Sequence, residues 1–94
     1  MTTWSVCNVN QAGAAGNGTE TAVPVVYIML TDAATGGPQF TDQWFYADNN
    51  GKDELLAVAL SAISAGKQVT ATYDPPSNPG GEPYPQLYRL YLRG

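Results

Sequence analysis

Within its first ten residues the chain gathers an indole (Trp4), a hydroxyl (Ser5) and two carboxamides (Asn8 and Asn10). Much further along, Tyr73 adds a phenol at the end of another β-rich segment. A sugar site needs this mixture. An aromatic face covers the C–H side of the ring, and hydroxyl, amide or carboxylate groups take its hydroxyls. Ordinary packing is the competing use of Tyr73 and of the tryptophans Trp4 and Trp44, whose natural place is a core or an interface. Tyr84, Tyr88 and Tyr91 read as sheet-face packing rather than ligand contacts.

Catalytic chemistry has little to work with. The chain has no histidine and a single cysteine, Cys7. That removes Ser-His and Cys-His nucleophiles, histidine metal sites and any intrachain disulfide. Cys7 reads as a half-buried small hydrophobe with nothing beside it to activate a thiolate. Asp42, Asp48, Asp53 and Glu54 fall in turns and at a helix start, where capping and solubility account for them better than a glycosidase pair does. The cluster DNNGKD lacks the ligand spacing and terminal glutamate of a calcium loop. No enzymatic activity, cofactor or metal is expected.

The net charge is −4, with four Lys and Arg against eight Asp and Glu. Nucleic acids and anionic membranes are held by basic stripes that displace counterions, so both are disfavoured as partners. Charged residues make up only 13% of the 94 residues, well below the roughly 25% usual for soluble domains. So little surface charge suggests that a subunit interface covers part of the chain. No apolar run is long enough for a membrane span. The Met-Thr-Thr-Trp start carries no signal peptide, and fits a cytoplasmic protein or a mature secreted domain.

The elements that must position these groups follow from periodicity. TWSVCNV, residues 3–9, is a first strand, and the glycine-rich residues 11–22 a hairpin loop carrying the sequon Asn17-Gly18-Thr19. Residues 23–32 form a strand apolar on both faces, expected to be covered on both. A third strand centres on residues 43–47. Several residues of DNNGKD could cap the helix predicted over residues 51–65, which Gly66 ends. Leu55, Leu56, Ala59, Leu60 and Ile63 form its apolar side, with Leu56, Leu60 and Ile63 expected to face the body of the domain. Ala57, Val58, Ser61, Ala62, Ser64 and Ala65 form a small, uncharged opposite face. A solvent-facing helix carries Glu, Lys or Arg there, so this face is expected to meet sister helices, with Ala57, Ser61 and Ser64 towards a central pore.

QVTATYD is a fourth strand. Residues 75–85 are too rich in proline and glycine for regular structure. QLYRLYLR is a fifth strand, with Tyr88, Leu90 and Leu92 on one side and Leu87, Arg89, Tyr91 and Arg93 on the other. Three strands, a helix and two strands is the order of the five-stranded OB-fold barrel, with residues 1–94 as one domain. A generic α+β sandwich is the alternative.

From helix to chain end the sequence resembles the B subunits of bacterial A–B toxins, those of the subtilase cytotoxin type in particular. The resemblance rests on the small-residue helix ending in Ala65-Gly66-Lys67-Gln68-Val69, on Tyr73-Asp74-Pro75, on Tyr84-Pro85 and on the final LYRLYL. WSVCNVNQ is similar to the family's first strand. The resemblance implies a secreted homopentamer that binds cell-surface glycans, sialoglycans above all, with an enzymatic A subunit as a further partner. It implies a pocket on the outer barrel surface at Ser5 and Tyr73, with Asp32 in the TDAATGG turn as the candidate acidic residue. The family's disulfide between strands two and three has no counterpart, since Met29 and a residue near Tyr46 stand in its place. The alternative function is an assembly module of the same fold that binds protein and no sugar.

Overall fold

The computed structural model describes residues 2–15, 25–78 and 84–94. The sequon at residues 17–19, the start of the second predicted strand and part of the proline-rich loop lie outside them. The elements are β1 (Thr3–Ala15), β2 (Val25–Asp32), β3 (Gln43–Ala47), α1 (Lys52–Ala65), β4 (Val69–Tyr73) and β5 (Gln86–Leu92). The strands close in the order β1-β2-β3-β5-β4. This is the OB-fold barrel, with its one helix between β3 and β4.

Closure depends on β1 serving two partners. Thr3 to Cys7 pair with β4, and Cys7 to Ala15 pair with β2, both antiparallel. Cys7 is the pivot, in register with Val69 on one side and Asp32 on the other. Val9 pairs with Leu30 and Gln11 with Met29, which leaves Asn10 as an extra residue. Such a bulge sharpens the coil of a strand and helps it turn from one sheet edge to the other. The predicted loop at residues 11–22 therefore begins as strand, and β1 runs on to Ala15. A short parallel contact of Tyr46 and Ala47 with Gln86 and Leu87 completes the ring.

The interior is filled by side chains, as in any barrel this narrow. Ile28, Leu30, Phe45, Val69, Ala71, Tyr73 and Leu87 have no exposed surface, and Phe40 enters from the β2–β3 loop. Burial alternates strictly along β2, so its second face is only half-covered, not covered on both sides as its apolar run suggested. On β5 the expected alternation fails. Tyr73 pairs with Leu87 but Thr72 pairs with Arg89, so Tyr88 is a bulge. The extra residue reverses the parity, and Leu87 and Leu90 both face inward.

Gly51 is the N-cap of the helix and provides no side-chain cap, with Asp53 and Glu54 favourably placed in the positive first turn. Gly66 ends it in the left-handed conformation at φ 65°, and the Lys67 N–H donates to the Ala62 carbonyl at 2.9 Å. The buried face corrects the sequence expectation. Leu55, Ala59 and Ala62 pack on the barrel, while Leu60 and Ile63 are 47% and 42% exposed. The two alanines let the helix backbone lie close over the strands, and the bulkier Leu60 and Ile63 turn outward. Ala62 thus leaves the outward face assigned to it, whereas Ala57, Ser61 and Ser64 remain exposed there.

Candidate functional site

Ser5 stands on β1 in the row Thr3, Ser5, Cys7, which opposes Tyr73, Ala71 and Val69 of β4. That row faces the interior. The Ser5 and Tyr73 hydroxyls hydrogen-bond to each other, and either oxygen can donate. Tyr73 has no exposed surface. Its ring meets Phe40 and Phe45 edge-on, with centroids 5.3 and 5.2 Å away. Burial pushes the Tyr73 phenol upward, partly offset by the bond from Ser5, so the phenol stays protonated. The two residues do meet, but not as an outer-surface pocket. Tyr73 is a core residue that holds Ser5, and only Ser5 is partly accessible.

Asp32 ends β2 beside Cys7 and is 7% exposed. Its carboxylate accepts the Ala34 N–H at 3.1 Å and the Gln39 N–H at 2.9 Å. Its own N–H donates to the Phe40 carbonyl, and the Ala33 N–H donates to the Val6 carbonyl. Asp32 therefore clasps the β2–β3 loop onto β1. Burial, with the Asp32 charge adding to it, pushes the Cys7 thiol up to about 12. Cys7 is fully buried rather than half-buried, and it is inert.

Ser5 and Asp32 open into one cleft of about 450 Å³, walled further by Gly37, Gln39 and Gln68. Asn8 joins at the rim, where its carbonyl oxygen accepts from the Gln68 amide at 3.3 Å. Trp4, 65% exposed, alternates to the outer face and is not brought to this cleft. Asn10, in the bulge, accepts from the Thr31 hydroxyl at 2.8 Å. The cleft can offer hydroxyl, amide and carboxylate groups to a polyhydroxylated ligand. Among the described residues, no three His, Cys, Asp or Glu side chains gather to hold a metal.

Comparison with known proteins gives no match among family models, curated proteins or solved structures.

Sequence reasoning missed a second cleft, on the outer face of β1, β2 and β3, lined by Tyr27, Trp44 and Tyr84. Alternation along β2 was the available signal, because buried Val26 and Ile28 force Tyr27 outward. Trp44 and Tyr46 share that face through the pairing of Tyr27 with Tyr46 and of Met29 with Trp44.

Proposed function

We propose that the protein is a secreted glycan-binding subunit, similar to toxin B subunits, which assembles as a homopentameric ring and attaches to cell-surface carbohydrate. The observation that carries this reading is the convergence of Ser5 and Asp32 on one polar cleft, from strands that meet only through the fold. Ser5 is fixed by a buried phenol, and Asp32 by two backbone N–H groups. Such groups meet sugar hydroxyls at little further cost in lost motion. The ligand class is a sialoglycan, with the Ser5 hydroxyl and the Gln39 and Gln68 carboxamides as hydrogen-bond partners for its polar groups. An enzymatic A subunit is a further partner under this reading. No described helix is long and apolar enough to cross a membrane.

The exposed helix face supports the ring. Ala57, Ser61 and Ser64 allow close backbone approach, and exposed Leu60 and Ile63 supply apolar area beside them. The same surface would equally serve a protein-assembly module that binds no sugar, so binding itself must be tested. A glycan array probed with the purified chain should retain sialylated structures, and Ser5→Ala should weaken retention about tenfold, the loss of one good hydrogen bond. An array blank for every glycan would leave the assembly module as the function. Retention of neutral glycans alone would replace the ligand class.

A further inference from the structure

The second cleft lies at the other end of β1 from Ser5 and on the opposite face of the sheet. Tyr27 forms its centre. Trp44 meets Tyr27 edge-on, with centroids 6.1 Å apart and planes at 82°. Tyr46 tilts against Tyr27 at 5.1 Å, and Tyr84 against Tyr46 at 5.7 Å. The rings are thus braced by one another across β2, β3 and the approach to β5.

On the β1 side the cleft is bare for an identifiable reason. Gly13 is the register partner of Tyr27, so its side chain would stand beside that ring. A Cβ at Gly13 would meet nothing within 4 Å, and its φ is not in the left-handed region. Neither backbone conformation nor crowding therefore requires a glycine here. Its effect is to leave open a cleft of about 490 Å³, with the Gln11 carboxamide at one edge. None of its described lining residues carries a formal charge.

We infer that this aromatic cleft binds an uncharged pyranose, stacked by its C–H face on the Tyr27–Trp44–Tyr84 wall with edge hydroxyls at Gln11. The volume is within the range of small-ligand pockets and suits a mono- or disaccharide. A nucleobase would also stack, but its phosphates would find no described cation in the lining, on a chain of net charge −4. A wholly apolar ligand would strip water from the tyrosine hydroxyls and Gln11 without replacing its hydrogen bonds. The site is independent of the cleft at Ser5, and would give each protomer a second point of attachment to a branched glycan.

The test is a titration of the full chain, followed by amide and indole NMR, with methyl β-galactopyranoside, methyl α-glucopyranoside and, separately, oligothymidylate. A sugar should shift the Gly13 amide and the Trp44 indole N–H saturably, in the millimolar range. Gly13→Val suits a strand and fills the cleft while leaving every aromatic residue in place, so it should weaken binding about tenfold or more. Trp44→Leu should do the same, and decides the matter should Gly13→Val fail to fold. Ser5→Ala should leave these shifts in place, which separates this inference from the reading of the first cleft. No saturable shift with either sugar, undiminished binding by the folded variant, or shifts with oligothymidylate alone would overturn it.

Discussion

The hydroxyls of Ser5 and Tyr73, 68 residues apart in the chain, hydrogen-bond to each other inside the β1–β4 ladder. This bond joins the barrel core to the candidate site. The phenol is locked between Phe40 and Phe45, so Ser5 is held to one orientation.

Removing only the phenol oxygen isolates that link. Tyr73→Phe keeps the ring and its packing, and should destabilise the fold by about 0.5–1.5 kcal/mol, the usual net worth of one hydrogen bond. Urea unfolding measures it. Glycan retention should fall as well, because Ser5 is then free to rotate. Unchanged stability together with unchanged retention would mean that the bond neither supports the core nor orients Ser5.

Asp32→Asn tests the loop clasp. A carboxylate accepts both the Ala34 and the Gln39 N–H, but a carboxamide has one acceptor oxygen and must turn an NH₂ towards the second donor. The cost should be about 1–3 kcal/mol for the donor left unpaired. Hydrogen exchange should accelerate at Ala34 and Gln39 before it does in β1. Uniform acceleration across the barrel would show that Asp32 supports the whole fold and not the loop.

Much of this architecture was legible because it rests on local signals. The helix over residues 52–65 announces itself by period and by Gly66, and β3 is found at residues 43–47, where the aromatic-rich segment was expected to form it. The bulges were not legible. Asn10 and Tyr88 are extra residues only relative to a partner strand, and one chain read alone does not reveal its partner's register. Without the bulge at Tyr88, Leu87 and Leu90 fall on opposite faces. The helix orientation failed for another reason. Two apolar stripes ran side by side, and the better-packed one carried Ala59 and Ala62 where Leu60 and Ile63 were the larger hydrophobes.

The candidate site shows the same division. Ser5, Tyr73 and Asp32 were named from sequence and do come together, but whether a side chain lines a cleft or props it from behind depends on burial. The aromatic cleft draws on four separate segments, and Gly13 matters only as the register partner of Tyr27.

Cys7 offers a check on the core that is independent of any ligand. Burial raises its thiol from an ordinary value near 9 to about 12. Between those values the folded chain holds a proton that the unfolded chain releases. The contribution to stability is therefore complete below pH 9 and is lost as pH rises towards 12. At pH 8 a thiol reagent should react only at the rate of global opening, and fully in urea. Rapid labelling of the native chain at pH 8 would show that β1 opens at Cys7 without unfolding.

The last prediction concerns assembly. Ser61 and Leu60 are both exposed on the outward side of the helix, so changing either leaves the barrel core untouched. In a ring lined by this face, Ser61→Glu brings five like charges together in a narrow pore, and Leu60→Asp removes apolar contact and buries a charge. The parent should sediment at about five times its 10.0 kDa monomer mass, whereas both variants should sediment near the monomer with an unchanged circular dichroism spectrum. A sugar weakly bound at each protomer gains roughly 10²–10⁴ in avidity when several sites engage one surface. The variants should therefore lose retention on a dense glycan surface while keeping the parent's affinity for the free monovalent sugar. A parent that is monomeric at micromolar concentration, or variants that keep the full ring mass, would sink the helix-lined ring.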